Sequence, residues 1–69
     1  MYQVWTYDGD EWNKAKDNIV SWDEALNFAR NRALRERPEN VEIAEVDDDE
    51  DVIGRTLLEE YEFEERIRK

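Results

Sequence analysis

Between Ser21 and Pro38 this 69-residue chain carries a helix with both of its ends encoded, and the rest must fold around it. Ser21 is a capping residue and Glu24 follows three positions later, the spacing of a capping box in which the serine oxygen accepts from a backbone N–H of the first turn. Val20 before the cap and Ala25 after it are placed as a hydrophobic staple. Trp22, Ala25, Leu26, Ala29 and Ala33 recur at helical spacing and form one apolar stripe, flanked by Phe28 and Leu34. Asp23 and Glu24 suit the positive end of the helix dipole, and Arg32, Arg35 and Arg37 suit the negative end. Proline cannot continue a helix, so the pattern predicts a span of about 22–36.

The flanks read as strands. Tyr2 to Tyr7 is built of strand-favouring types, with Tyr2, Val4 and Thr6 on one face and Gln3, Trp5 and Tyr7 on the other. Asp8-Gly9 is a tight-turn signal, which predicts a short returning strand around residues 11–15. Beyond the helix, residues 41–46 form a strand with Val41 and Ile43 toward the core, residues 47–51 a solvated loop, and residues 52–58 its hairpin partner. Leu57, Leu58 and Tyr61 suit a helical turn, whereas Tyr61, Phe63 and Ile67 alternate with Glu60, Glu62, Glu64 and Arg66 as a strand would. We read the tail as extended to about residue 64. The fold class expected is therefore α+β, one helix on a small antiparallel sheet in β-β-α-β-β order, as one domain over residues 1–69. No internal repeat or linker interrupts it.

A chain this short buries only about 60% of its unfolded surface, so it needs an efficient core. With no cysteine and no histidine it has no disulfide and none of the usual zinc ligands. Three Trp, three Tyr and two Phe must then supply the burial, at roughly 150–250 Å² each. No apolar stretch approaches the ~20 residues that span a bilayer, and Met1-Tyr2-Gln3-Val4-Trp5 is unlike a signal peptide, so a cytoplasmic location and no membrane partner are expected.

Charge is lopsided. Thirteen of the twenty acids lie in residues 39–69 against four basic residues, which places about −9 of the net −10 there; residues 1–20 sum to −2 and residues 21–38 to +1. Such a surface repels nucleic acid and anionic membrane and steers basic partners toward itself.

No catalytic constellation is visible, and the chain is expected not to be an enzyme. Nucleophilic chemistry needs an activated Ser, Thr, Cys or Lys beside a base; the single serine is used as a cap. Paired carboxylates for glycosidic acid–base work would lack a cleft in so small a chain. Asp8-Gly9-Asp10-Glu11 and Asp47-Asp48-Asp49-Glu50-Asp51 are oxygen-rich but miss the spacing of a calcium loop, so neither metal nor cofactor is expected. The basic cluster Arg30, Arg32, Arg35 and Arg37 reads as a helix C-terminus whose arginines also pair with the acidic sheet rather than as a phosphate site.

One acidic feature supports a sharper expectation. On an extended tail, Glu60, Glu62 and Glu64 would share one face at intervals of about 6.6 Å. Glu42 and the loop formed by Asp47, Asp48, Asp49, Glu50 and Asp51 would extend the same surface. Regular negative charge on a stiff ribbon can stand in for a phosphate backbone. In composition the chain resembles the small acidic nucleic-acid mimics of phages and mobile elements that disarm restriction or CRISPR enzymes. That resemblance implies an inhibitor docking into the basic groove of a nucleic-acid-binding enzyme through Asp47 to Asp51, Glu60, Glu62 and Glu64, without binding nucleic acid itself. The competing reading is a salt-adapted small cytosolic protein, for which seven Arg against three Lys also fits. Since one sheet face must stay uncovered, either Tyr2 and Val4 or Trp5 and Tyr7 remain accessible, and with Trp12 that pair could seam a homodimer or anchor a partner; more simply, Trp12 folds over the helix edge and completes the core.

Overall fold

The computed structural model describes residues 1–68 and bears out the α+β class, with one helix more than expected. In chain order it has β1 (Tyr2–Tyr7), β2 (Trp12–Ile19), α1 (Trp22–Ala33), a 3₁₀ turn (Pro38–Asn40), β3 (Val41–Val46), β4 (Val52–Leu57) and α2 (Leu58–Ile67). The four strands form one antiparallel sheet in the order β2-β1-β3-β4.

The first hairpin turns where Asp-Gly demands it. Gly9 sits at φ +105°, where a side chain would be strained. Asp8 Oδ1 accepts from the N–H groups of Asp10 and Glu11 at 2.9 and 3.0 Å, and Asn13 donates to Asp8 Oδ2 at 3.0 Å. The returning strand runs to Ile19, well past residue 15. Pairing with β1 outweighs the weak strand preference of Asn13, Lys14 and Lys16, though the register shifts on both sides of Val4.

Ser21 caps α1 as the sequence implies, its Oγ accepting from Glu24 N–H at 3.2 Å. The staple does not form, because Val20 points to solvent with 74% of its surface exposed. Helix α1 ends at Ala33 rather than at residue 36. Proline forces Arg37 into an extended conformation (φ −79°, ψ 147°), and residues 34–36 tighten into a turn ahead of it. Leu34 therefore leaves the stripe and is 84% exposed. Pro38 itself opens the 3₁₀ turn, where its missing N–H is not needed.

The core is one cluster of Val4, Ile19, Ala25, Leu26, Ala29, Val41, Ile43 and Leu58, drawn from β1, β2, α1, β3 and α2. Val41 and Ile43 face it as expected. Tyr2 meets Trp22 edge-to-face at 5.7 Å, and Trp22 meets Tyr61 of α2 at 5.4 Å, so an aromatic chain ties the sheet to both helices. The helices thus cover the sheet face that carries Val4, Val41 and Ile43.

The tail is the main correction. Residues 58–67 are α-helical rather than extended. Leu58 is buried, Tyr61, Glu62 and Glu65 are half-buried, and the residues between them are exposed, the 3.6-residue period of a helix lying on a core. The apparent alternation of Tyr61, Phe63 and Ile67 is broken by Phe63, which is 62% exposed. Glutamate-rich segments favour helix, and Glu59 and Glu60 at the start with Arg66 in the last turn suit its dipole.

Candidate functional site

The acids singled out in the sequence fall into two separate groups. The first is the β3–β4 connection. Asp47 organises it: its Oδ1 accepts from Asp49 N–H and Asp51 N–H, both at 2.9 Å, its N–H donates to the Asp51 carbonyl at 3.0 Å, and its carbonyl accepts from Glu50 N–H at 3.0 Å. Glu50 closes the turn in the left-handed region at φ +64°. The five acids are all exposed. Asp47, Asp49 and Asp51 each bring a carboxylate oxygen within 4.8 Å of the others. A hard cation would take such oxygens, but calcium asks for six to eight of them, and Asp47 already spends one on backbone donors.

The second group lies on α2, beyond the far end of β4. Six strand residues at about 3.3 Å each put roughly 20 Å between the loop and the start of this helix. Here Glu60, Glu62 and Glu64 do not form a ladder. With about 3.6 residues per turn, Glu60 and Glu64 share one side, while Glu62 lies about 200° away from Glu60. Glu62 turns to α1, where Arg30 donates to both its oxygens, from Nε to Oε1 and from Nη2 to Oε2. This hydrogen bonding, reinforced by the carboxylate charge, raises the Arg30 pKa above its usual value. Glu42 is likewise engaged, by Arg55 at 3.0 Å. An even row of negative charge across the sheet is therefore absent among the described residues.

The arginine cluster behaves as a set of ion-pair partners, though not to the sheet. Arg30 reaches α2, Arg32 lies 3.8 Å from Glu36, and Arg37 lies 3.7 Å from Glu39. Such exposed pairs contribute about 0–1 kcal/mol each, so they neutralise more than they stabilise.

Opposite the helices, the sheet face is uncovered. Register puts Trp5 opposite Lys14 and Glu42, and Tyr7 opposite Trp12. Trp12 does not fold over the helix edge. It stacks on Tyr7 with ring centroids 5.4 Å apart and stays 37% exposed, because the two-residue phase of the strand directs it away from the core. Trp5 donates its indole N–H to Gln3 Oε1 at 3.0 Å, which satisfies a buried amide on the same face. The sequence required one pair of strand residues to stay accessible without fixing which; the open face is that of Trp5 and Tyr7, and Trp12 joins them there instead of the core.

A four-stranded antiparallel sheet, two helices on one face, aromatics on the other, and two acid clusters at opposite ends of an edge strand define the molecule. Comparison of the chain with protein-family models, curated proteins and solved structures finds no match. No helix of the described residues is long and apolar enough to cross a membrane.

Proposed function

We propose that this chain is a non-catalytic, cytoplasmic acidic binding protein that docks into a basic groove of a partner. What supports this is how unevenly its acids are neutralised. Glu36, Glu39, Glu42, Glu62 and Glu65 each sit against an arginine. Asp47 to Asp51, Glu59, Glu60 and Glu64 are exposed and have no ion-pair partner among the described residues. Clustered like charge is a standing repulsion that a cationic surface relieves, and it accelerates encounter with such a surface.

The partner class this favours is a nucleic-acid-binding enzyme, with inhibition of the phage or mobile-element kind as the consequence. Helical Glu60, Glu62 and Glu64 remove the even phosphate-like spacing as support, so docking rests on charge complementarity. Competition with DNA or RNA for restriction and CRISPR nucleases, measured at about 50 and about 300 mM salt, tests it; salt-sensitive competition is expected, since phosphate-binding grooves lose affinity steeply with salt. Absence of competition at the lower salt refutes it. A second reading, a homodimer seamed by the open face, is favoured by the accessible Tyr7–Trp12 pair. A melting midpoint that rises with protein concentration would support it, and a constant one would remove it.

A further inference from the structure

Resting on the basic-partner reading, the geometry points to where a partner is gripped: the outer edge of β4 accepts an extended, lysine- or arginine-rich segment as a fifth strand. The sheet has two edges, β2 and β4. An exposed edge presents unpaired N–H and C=O groups to any passing strand, and folded proteins commonly guard it with lysines, bulges or prolines. The β2 edge is guarded in this way. It carries Lys14 and Lys16, its register shifts on both sides of Val4, and Asn18 bends it at φ +55°.

The β4 edge is not. From Gly54 to Leu57 it pairs with β3 in unbroken register, and it contains neither lysine nor proline. Its one charged residue, Arg55, is turned to Glu42. Val52 and Ile53 stand exposed at 38% and 61%. Among the described residues, nothing pairs with its outward backbone groups.

Charge selects the occupant. Asp47 to Asp51 flank one end of β4, and Glu59 and Glu60 flank the other. A second copy pairing antiparallel would lay the loop of one molecule beside Glu59 and Glu60 of the other; pairing parallel would lay loop on loop. Both stack like charges, a repulsion that disfavours self-pairing. A strand with basic residues at both ends and alternating apolar residues between meets acid at each end whichever way it runs. Main-chain bonds would supply affinity and the flanks selectivity, the mode known as β-augmentation. The basic groups should be about 20 Å apart, the length of six strand residues.

The probe is a synthetic peptide with two lysines at each end and alternating threonine and valine between, titrated into the full chain at low salt and followed by amide chemical shifts and hydrogen exchange. Expected are shifts along β4 and slowed exchange of its outward amides. Ile53→Lys, an exposed change that leaves the melting midpoint within a few degrees, should weaken binding about tenfold or more by placing a repelling charge on the edge. Replacing the valines of the peptide by prolines should abolish binding, because proline cannot extend a ladder. If the proline peptide binds equally well and with the same salt sensitivity, the strand mode is overturned while the basic-partner reading stands. If neither lysine-ended peptide binds at low salt, both fail. A glutamate-ended peptide binding as well as the lysine-ended one overturns the charge selection.

Discussion

Truncating Tyr61 and Phe63 separately decides how the C-terminal segment is placed. In the helix, Tyr61 meets Trp22 edge-to-face at 5.4 Å and packs on the core, while Phe63 is 62% exposed. Removing a fully buried aromatic side chain costs about 3–5 kcal/mol. Tyr61 is half-buried, so about 2 kcal/mol follows from lost burial, to which the ring pair adds about 0.5–1.5 kcal/mol. Tyr61→Ala should therefore cost about 2.5–3.5 kcal/mol, and Phe63→Ala less than about 0.5 kcal/mol. Alanine is the better helix former by a few tenths of a kcal/mol at either site, so propensity cancels in the comparison. For a domain of this size 1 kcal/mol moves the melting midpoint by roughly 4–8 °C, which gives a drop of about 10–28 °C against a few degrees at most. Total stability of the order of 3–10 kcal/mol leaves the Tyr61 variant measurable by urea titration. Tryptophan fluorescence reports the transition, and Trp22 should lose part of its shielding in the Tyr61 variant alone. On an extended tail the two aromatics would share a face and cost the same. Equal losses, or a larger loss at Phe63, would refute the helical packing.

Three further outcomes are expected. Ser21→Ala removes the acceptor for Glu24 N–H and should cost about 1 kcal/mol, with Ser21→Gly costing only a few tenths; equal costs would mean that the cap contributes nothing. The Asp8 carboxyl is held below its usual pKa by hydrogen bonds from the backbone of Glu11, then Asp10, and from the Asn13 side chain. Its stabilisation is complete above the unfolded value near pH 4 and is lost as pH falls through the lower folded value, so Asp8→Asn should flatten the acid limb of the stability profile below about pH 4 and nowhere else. Trp12→Ala should abolish the near-ultraviolet dichroism of the Tyr7–Trp12 pair with little change in midpoint, whereas a large fall would show that Trp12 is a core residue.

Local patterns carried far in this chain. Ser21 with Glu24, Asp8-Gly9 and Pro38 act within a few residues, so the start of α1, the first turn and the end of α1 short of the proline were all legible. Alternation placed Val41 and Ile43 inward by the same logic, and composition showed where the acid is concentrated. Partnership was not legible. Phe63, Glu60, Glu62 and Glu64 fit a strand period as well as a helical one, and only the seat that Leu58 and Tyr61 take beside Trp22 breaks the tie. The same holds for charge: sequence counts the acids, but Arg30 lies 32 positions from Glu62, and only the packing of α1 near α2 neutralises that one and leaves Glu60 and Glu64 bare. Short-range chemistry determined where the elements begin and turn, because caps and turns are satisfied by neighbours in the chain. Tertiary packing decided which faces are covered and which charges are paired, because burial and ion pairing depend on groups brought together from distant positions.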